Sequence, residues 1–335
     1  MDKTPRPAKA AAMLFAATTA WGASFLVMKA LGQEQEKLVP GAGSWFISSY
    51  SLLIRFGVSA LVVSFLTRSR NRKITPLEWR QGVGLGLFCG TGILFQMDGV
   101  MHTAASTSAF LTQCYCIFIP FVLAFHRRKM PAAMIVLSCL MVMGGVAVLS
   151  NIDWQRLRVG RGEAESILGS ILFTGQILWL ERPIFHANRT PVITLLMFTF
   201  VALVVLPVFL WSGTGPQQWI AAYHSWPAVL LVGFLTLACT FGSYSIMNYW
   251  QPHLPATQAG LIYCCEPMFT AIFALFLPAC LSRAMQINYP NEILTSHLLL
   301  GGGLITAANL LAMWEGARHA KSDSLDFPPK PNSNP

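Results

Sequence analysis

The chain has 335 residues, of which 54% are hydrophobic and 11% charged, and its mean hydropathy is +0.53. Soluble globular domains carry about 25% charged residues, so this composition excludes a soluble domain of the ordinary kind. The formal net charge is +9, but the basic residues lie in short clusters between apolar runs. Such clusters are typical of cytoplasmic loops of membrane proteins and argue against a nucleic-acid partner.

Apolar runs recur along the whole chain, and each is long enough for the roughly 20 residues that a membrane-spanning helix needs. They predict an all-α membrane protein with ten transmembrane helices, at about residues 10–31, 45–66, 81–101, 105–125, 131–150, 167–186, 191–211, 227–250, 256–277 and 295–316. The first run follows Lys3, Arg6 and Lys9, as in a secretory signal, but its length predicts a retained span.

The distribution of Lys and Arg predicts the orientation in the membrane. With the N-terminus inside, the inner segments hold about 16 basic residues and the outer segments about 5, which fits the rule that positive charge stays in the cytoplasm. Both termini are therefore predicted to be cytoplasmic, in a multi-pass protein of the bacterial inner membrane. This orientation requires an even number of spans.

A weak internal repeat divides the chain into halves. Thr107–Gln113 and Thr257–Tyr263 open two predicted helices at an offset of about 150 residues, a separation that gives each half five spans. An odd number of spans turns the second copy upside down, as in many secondary transporters. The predicted organisation is a cytoplasmic N-terminus (1–9), a first repeat (10–150), a periplasmic linker (151–166), a second repeat (167–317) and a disordered cytoplasmic tail (318–335).

Ionisable side chains within membrane spans are costly, so each one is a candidate for function. Glu266 lies near the middle of its span beside Pro267, which removes a backbone donor. The carboxyl is predicted to bind substrate and to carry a proton during transport; the alternative is a structural carboxyl bonded to neighbouring backbone. Arg55 either holds an anionic substrate group, pairs with Glu266, or is neutralised by helix carbonyls.

Polar residues in the other spans extend this candidate site. Trp21 and Ser24 flank a Gly-Ala step that interrupts the first span with small residues, where tight packing is the competing interpretation. The predicted substrate-binding set is completed by Gln96, Gln113, Tyr244 and Tyr263. Lys29 is predicted to extend to the outer interface, and Glu181 is predicted to face the cytoplasmic headgroups.

Small residues elsewhere are interpreted as packing residues. Gly82, Gly86 and Gly90 repeat every four residues, which permits close helix contact. The eight cysteines form no metal-binding or paired pattern, so no metal and no cofactor is predicted. No HExxH motif is present, and Asp98 is the only clear aspartate within a span, which argues against an intramembrane enzyme.

The order of these features resembles the EamA family of the drug/metabolite transporter superfamily. The resemblance rests on Trp21-Gly-Ala-Ser-Phe25, Arg55, Thr107-Ser-Ala109 and Glu266-Pro267 within ten spans, and it covers about residues 10–318. It implies a secondary active transporter with a central cavity and alternating access, most often an exporter of amino acids, other metabolites or toxic analogues.

The partners expected from this resemblance are a small organic solute, membrane lipid, and protons or a counter-substrate. Two alternatives remain open on the same fold. One is a flippase for lipids or lipid-linked sugars, and the other is a metabolite importer.

Overall fold

A computed structural model describes residues 7–67, 73–126, 133–149, 160–254 and 256–326, and these residues contain no β-strand. Some of the basic residues counted for the orientation, at 68–72 and 127–129, lie outside the described residues, as does most of the predicted linker (151–159). The α-helices are α1 (Pro7–Leu38), α2 (Ser44–Thr67), α3 (Pro76–His102), α4 (Ala105–Thr112), α5 (Tyr115–His126), α6 (Ala133–Leu149), α7 (Arg161–Leu180), α8 (Thr190–Ser212), α9 (Pro216–Ala221), α10 (Trp226–Phe234), α11 (Ser243–Trp250), α12 (Ala256–Tyr263), α13 (Glu266–Ala274), α14 (Leu277–Met285) and α15 (Ser296–Asp326).

Six segments of the described residues are long and apolar enough to cross a membrane. They are Ala8–Leu38, Ser44–Thr67, Pro76–His102, Ala105–His126, Thr190–Ser212 and Trp226–His253. The last combines α10, a π-helix (Leu235–Gly242), α11 and a 3₁₀ turn (Gln251–His253). The pair α13 and α14, bent by 55°, gives a seventh if it is counted as one span. The structure therefore supports a multi-pass membrane protein, and the count of ten spans stays a prediction.

Two predicted boundaries are corrected by the structure. Helix α7 begins at Arg161 and ends at Leu180, whereas the sequence predicts 167–186, so residues 161–166 belong to a helix and not to the linker. The early end has a clear cause, because Pro183 cannot continue a helix and opens a 3₁₀ turn. Helix α15 runs to Asp326, so the predicted disordered tail is helical over 318–326. That stretch contains several good helix formers.

The predicted spans at 105–125 and 256–277 are both broken. Helix α4 ends at Thr112 and α5 begins at Tyr115, while α12 ends at Tyr263 and α13 begins at Glu266. The second break has a cause in the sequence, since the ring of Pro267 clashes with a helical carbonyl four residues earlier. The two breaks meet, because the Sγ atoms of Cys116 and Cys264 lie 3.5 Å apart.

The helices of the two halves pack in matching ways. Helix α2 packs against α8, and α6 packs against α15. Helix α1 packs against the α10–α11 segment and against α12 and α13, while α7 packs against α3 and against α4 and α5. Each half therefore inserts its first helix between two elements of the other half.

Glycines allow the closest of these contacts. A Cβ atom added at Gly82 or Gly86 would lie 2.3 Å from the Cβ of Leu196 or of Phe200 in α8. The four-residue glycine ridge of α3 is thus a packing surface, as the sequence predicts. At Gly22, the added Cβ would lie 2.7 Å from Phe269 Cβ and 3.0 Å from the Glu266 carbonyl oxygen. The main chain of α1 therefore lies directly on α13.

Replacing Gly22 should separate α1 from α13. We expect Gly22→Ala to destabilise the protein by about 1–3 kcal/mol, because the added methyl group overpacks the contact. Gly57→Ala is the matched control, since no atom of the described residues lies within 4 Å of its added Cβ. Thermal unfolding of the detergent-solubilised variants measures the difference, and equal midpoints would show that this contact does not constrain the fold.

Candidate functional site

A central cavity lies between the two halves and is lined by residues from α1, α2, α3, α4, α5, α7, α11, α12 and α13. The space open to the centres of water-sized molecules is about 60 Å³, whereas one water needs roughly 10–15 Å³ by the same measure. The cavity is therefore large enough for a few waters or a compact solute group.

Seven of the eight residues predicted from the sequence to bind substrate line this cavity. They are Trp21, Ser24, Arg55, Gln96, Tyr244, Tyr263 and Glu266. The eighth, Gln113, lies outside the cavity at the break between α4 and α5, where its amide nitrogen donates to the Tyr115 hydroxyl at 3.1 Å. The structure thus brings together residues from distant parts of the sequence, and their binding role stays a prediction.

Arg55 is a buried cation without a counter-ion among the described residues. Its side chain is 1% exposed, Nε donates to Thr240 Oγ1 at 3.1 Å, and Nη1 lies 3.9 Å from Met97 Sδ. Thr240 belongs to the π-helix, so this irregular segment supplies the main contact of the guanidinium. A buried charge is costly unless it is paired, and the remaining N–H groups of Arg55 are available to an anionic group in the cavity.

Glu266 begins α13 and is 8% exposed. Within the described part of the chain, its carboxylate makes neither a hydrogen bond nor an ion pair. Arg55 and Glu266 therefore line one cavity without pairing with each other, which does not support the hypothesis of a direct ion pair. The alternative of a structural carboxyl bonded to neighbouring backbone is not supported either.

Aromatic side chains form one wall of the cavity. The ring centroid of Trp21 lies 5.2 Å from that of Tyr244 and 5.9 Å from that of Tyr263. The indole of Trp21 is fixed because Nε1 donates to the Cys239 carbonyl oxygen at 3.0 Å. The Ser24 hydroxyl, in contrast, donates to the Trp21 carbonyl oxygen at 2.7 Å and serves its own helix.

Sequence reasoning did not assign several lining residues. The sequence pattern does not single out Thr112, Tyr115, Phe173, Gln176 or Met247, although all five line the cavity. Gln96 and Thr112 are joined by a hydrogen bond of 3.4 Å. An apolar residue facing a cavity has the same pattern in the sequence as one facing lipid, so no signal marks it.

A chain of hydrogen bonds runs from the cavity to one end of the helices. The Tyr263 hydroxyl donates to Gln251 Oε1 at 2.9 Å, and Gln251 Nε2 donates to Glu181 Oε1 at 2.9 Å. Glu181 follows α7, so α7, α12 and the turn after α11 are tied together at this end. The prediction that Glu181 faces the headgroups is corrected, because its carboxylate accepts from a buried amide.

Ionic contacts join the helices at the opposite end. Asp98 of α3 is fully buried and pairs with Arg161 at the start of α7, and Arg161 Nε also lies 2.8 Å from Glu165 Oε1. Lys29 of α1 donates to the Thr103 carbonyl oxygen. The lysine predicted to extend to the interface instead ties α1 to the residue after α3.

Glu292 closes the same end from the second half of the chain. Its Oε1 accepts from the backbone N–H of Ala105 at 2.9 Å, and its carboxylate also bonds the Ser106 hydroxyl. These residues form the first turn of α4, whose N–H groups have no partner within the helix. The Glu292 end of the cavity is therefore held by polar contacts between the two halves, whereas the Glu181 end is held by contacts within the second half.

The first part of the chain matches a known protein family. The family model described as "EamA-like transporter family" matches residues 8–151, which confirms the resemblance expected from the sequence over those residues. No curated protein matches the chain.

Solved structures show how far the fold is shared, and 25 chains among them match. One, titled "Crystal structure of protein", is 16% identical with a TM-score of 0.58 and covers 93% of this chain and 99% of its own. At that identity the likeness shows the fold alone, and it extends beyond the part matched by the family model.

Oxidation should join the two broken helices. We expect copper-phenanthroline treatment to cross-link Cys116 to Cys264 in a variant that keeps only these two cysteines, because their Sγ atoms need to approach by only about 1.5 Å to bond. Mass spectrometry of the digested protein detects the linked peptides. The same variant with Cys116→Ser is the control, and failure of the pair to cross-link would contradict the crossing of the breaks.

Proposed function

We propose that the protein is a secondary active transporter that exports small organic metabolites by alternating access. The proposal starts from the family assignment, because residues 8–151 belong to the EamA-like transporter family. The observation that carries the proposal is the central cavity, which Arg55 and Glu266 both line without pairing with each other. Among the described residues neither side chain has a charged partner, and a bound solute would supply one to each.

The proposed architecture is ten helices in two inverted five-helix repeats. Two features of the described residues support it. The helix breaks at 113–114 and 264–265 are about 150 residues apart, close to the offset of the sequence repeat. Helices α1 and α7, each first in its half, make matching contacts with the other half. Broken helices near the midplane are a common way to build a transport site.

The chemistry of the cavity favours a small zwitterion, such as an amino acid or a related compound. A carboxylate on the solute would take the free N–H groups of Arg55, and an ammonium would take the carboxylate of Glu266. The aromatic wall of Trp21, Tyr244 and Tyr263 suits an apolar or aromatic remainder. Charged groups on both sides of one cavity would disfavour solutes that carry only one charge.

Glu266 is also the group that we propose to couple transport to protons. It begins a half-helix at a break, so a change in its charge acts where the two halves meet. A proton and the ammonium group of the solute would compete for the one carboxylate of Glu266. This competition is enough to exchange a proton for a solute molecule, and no other residue is needed. This role remains with Glu266 because the other carboxylates described at the two ends of the cavity already accept hydrogen bonds.

The proposed orientation places both termini in the cytoplasm of the bacterial inner membrane. Described basic residues gather at one end of the helices: Lys9 lies over the Trp250 ring at 5.5 Å, and Arg80 and Arg182 lie over the Trp179 ring. Arg189 pairs with Glu78 at the same end. Positive charge favours the cytoplasmic side, so this end is assigned to the cytoplasm and the Asp98–Arg161 end to the periplasm.

Overexpression in bacteria should reveal the exported solute. We expect specific metabolites to accumulate in the medium with the wild type, and several-fold less with Glu266→Gln, because the substitution removes the only free carboxylate facing the cavity in the described structure. Metabolite profiling of the medium against an empty vector measures this. Glu36→Gln is the control, since this exposed residue of α1 lies outside the cavity.

The profile separates the competing functions. If the wild type matches the empty vector, export is contradicted, and an importer or lipid flippase on the same fold takes precedence. If wild type and Glu266→Gln export equally, the role of Glu266 is contradicted while export stands.

Arg55 should govern affinity. In proteoliposomes with the exported solute, we expect Arg55→Gln to raise the KM at least about tenfold, because a charge-assisted hydrogen bond to the solute is lost. Arg283→Gln, an exposed arginine of α14, should leave the KM unchanged. An unchanged KM in Arg55→Gln, with the protein still monodisperse, would show that the solute does not contact Arg55.

The proton role predicts a different defect for Glu266. Uptake into wild-type proteoliposomes should respond to an imposed pH gradient, whereas uptake by Glu266→Gln should not. Labelled-solute flux with and without the gradient measures the response. An equal response in both proteins would contradict proton coupling through this residue.

A further inference from the structure

A second groove lies on the outer surface between α3 and α7, away from the central cavity. It is an open groove of about 580 Å³, lined by Trp79, Arg80, Val83, Leu87 and Trp179 among others. Trp79 and Leu87 are 51% and 49% exposed, an exposure that suits hydrocarbon and not water. The transport mechanism uses none of these residues.

The floor of the groove is a fixed indole. Trp179 lies across α3 at Gly84, where an added Cβ would be only 2.2 Å from its Nε1. Nε1 donates to the Gln81 carbonyl oxygen at 3.2 Å, and Phe88 packs against the ring with centroids 6.4 Å apart. The ring therefore presents a rigid apolar face toward the membrane.

Two arginines lie over this indole, namely Arg80, which lines the groove, and Arg182, which follows Trp179 by three residues. The guanidinium carbons of Arg80 and Arg182 lie 5.8 Å and 4.6 Å from the centroid of the Trp179 ring. Both arginines are exposed, and in the described part of the chain neither side chain pairs with a carboxylate. Two cations over one ring repel each other, so a shared anion between them would be stabilising.

The nearby carboxylates are already engaged. Glu78 accepts from Arg189 through both oxygens, at 2.6 Å and 2.8 Å. Glu181, next to Arg182 in sequence, accepts from Gln251 at 2.9 Å. The positive charge of Arg80 and Arg182 is thus left without a counter-ion from the described residues around it.

We propose that this groove binds one anionic phospholipid of the surrounding leaflet. The phosphate lies between the guanidinium groups of Arg80 and Arg182, and an acyl chain runs along Val83 and Leu87 against the Trp179 indole. Arg80 stands in the first turns of α3, and Arg182 follows the end of α7. In the proposed ten-helix architecture both helices span the membrane, which places both arginines at headgroup depth. Basic pockets between helices with aromatic walls are suited to anionic headgroups.

Native mass spectrometry of the detergent-solubilised full chain tests the proposal. The probes are phosphatidylglycerol, phosphatidylcholine with the same acyl chains, and inorganic phosphate. We expect the wild type to retain phosphatidylglycerol and to bind phosphatidylcholine at least about tenfold more weakly. Arg80→Gln with Arg182→Gln should lose this preference, whereas Arg283→Gln, at an exposed site on α14, should keep it.

Two further measurements keep the test decisive. Each single substitution, and the charge-preserving Arg80→Lys, are measured in case the double variant does not fold; Arg80→Lys should retain most of the preference. Equal binding of both lipids by the wild type, or an unchanged preference in the single and double Gln variants, overturns the proposal. Displacement of the lipid by millimolar inorganic phosphate would also overturn it, because that result indicates a site for free anions.

Discussion

The structure depends on the meeting of two broken helices inside a medium that cannot satisfy backbone polar groups. Within hydrocarbon, a break in a helix is tolerated only where protein or an internal cavity surrounds it. Here each break, at 113–114 and at 264–265, is covered by the other, with Cys116 and Cys264 in contact. The contact of α1 with α13 at Gly22 covers the second break further, and the cavity forms beside the pair.

This arrangement explains why charged side chains survive in the interior. Glu266 is the first residue of α13, where the helix dipole favours a negative side chain. Arg55 is supported by Thr240 on an irregular π-helix. Each charge is therefore stabilised by a local departure from regular helix, and not by the other charge. Because the side chains of Arg55 and Glu266 do not pair, the cavity between them has room for a solute. A direct ion pair of the two side chains would fill that cavity.

The sequence predicts the parts of this protein that hydrophobicity alone determines. The long apolar runs place α2 and α8 within about one residue of their observed ends, since uninterrupted hydrocarbon-facing segments leave little choice. The sequence does not predict the start of α7, because its first turns carry Arg161, Glu163 and Glu165, and such charged residues are typical of a loop.

The helix breaks and the site are predictable only in part. Pro267 marks the second helix break, but no comparable signal marks the first. Arg55 and Glu266 could be found because charge is rare in spans; Phe173 and Trp179 could not, because their environment is set by tertiary packing.

The most direct test of a solute site between Arg55 and Glu266 is a binding measurement with three matched compounds. They are an amino acid exported by the protein, the same compound without its amine, and the same compound without its carboxylate. Thermal stabilisation of the wild type should be greatest with the complete amino acid. Arg55→Gln should abolish the advantage of the carboxylate, and Glu266→Gln should abolish the advantage of the amine. Equal stabilisation by all three compounds in the wild type, or the same ranking in both variants, would contradict a site built from these two charges.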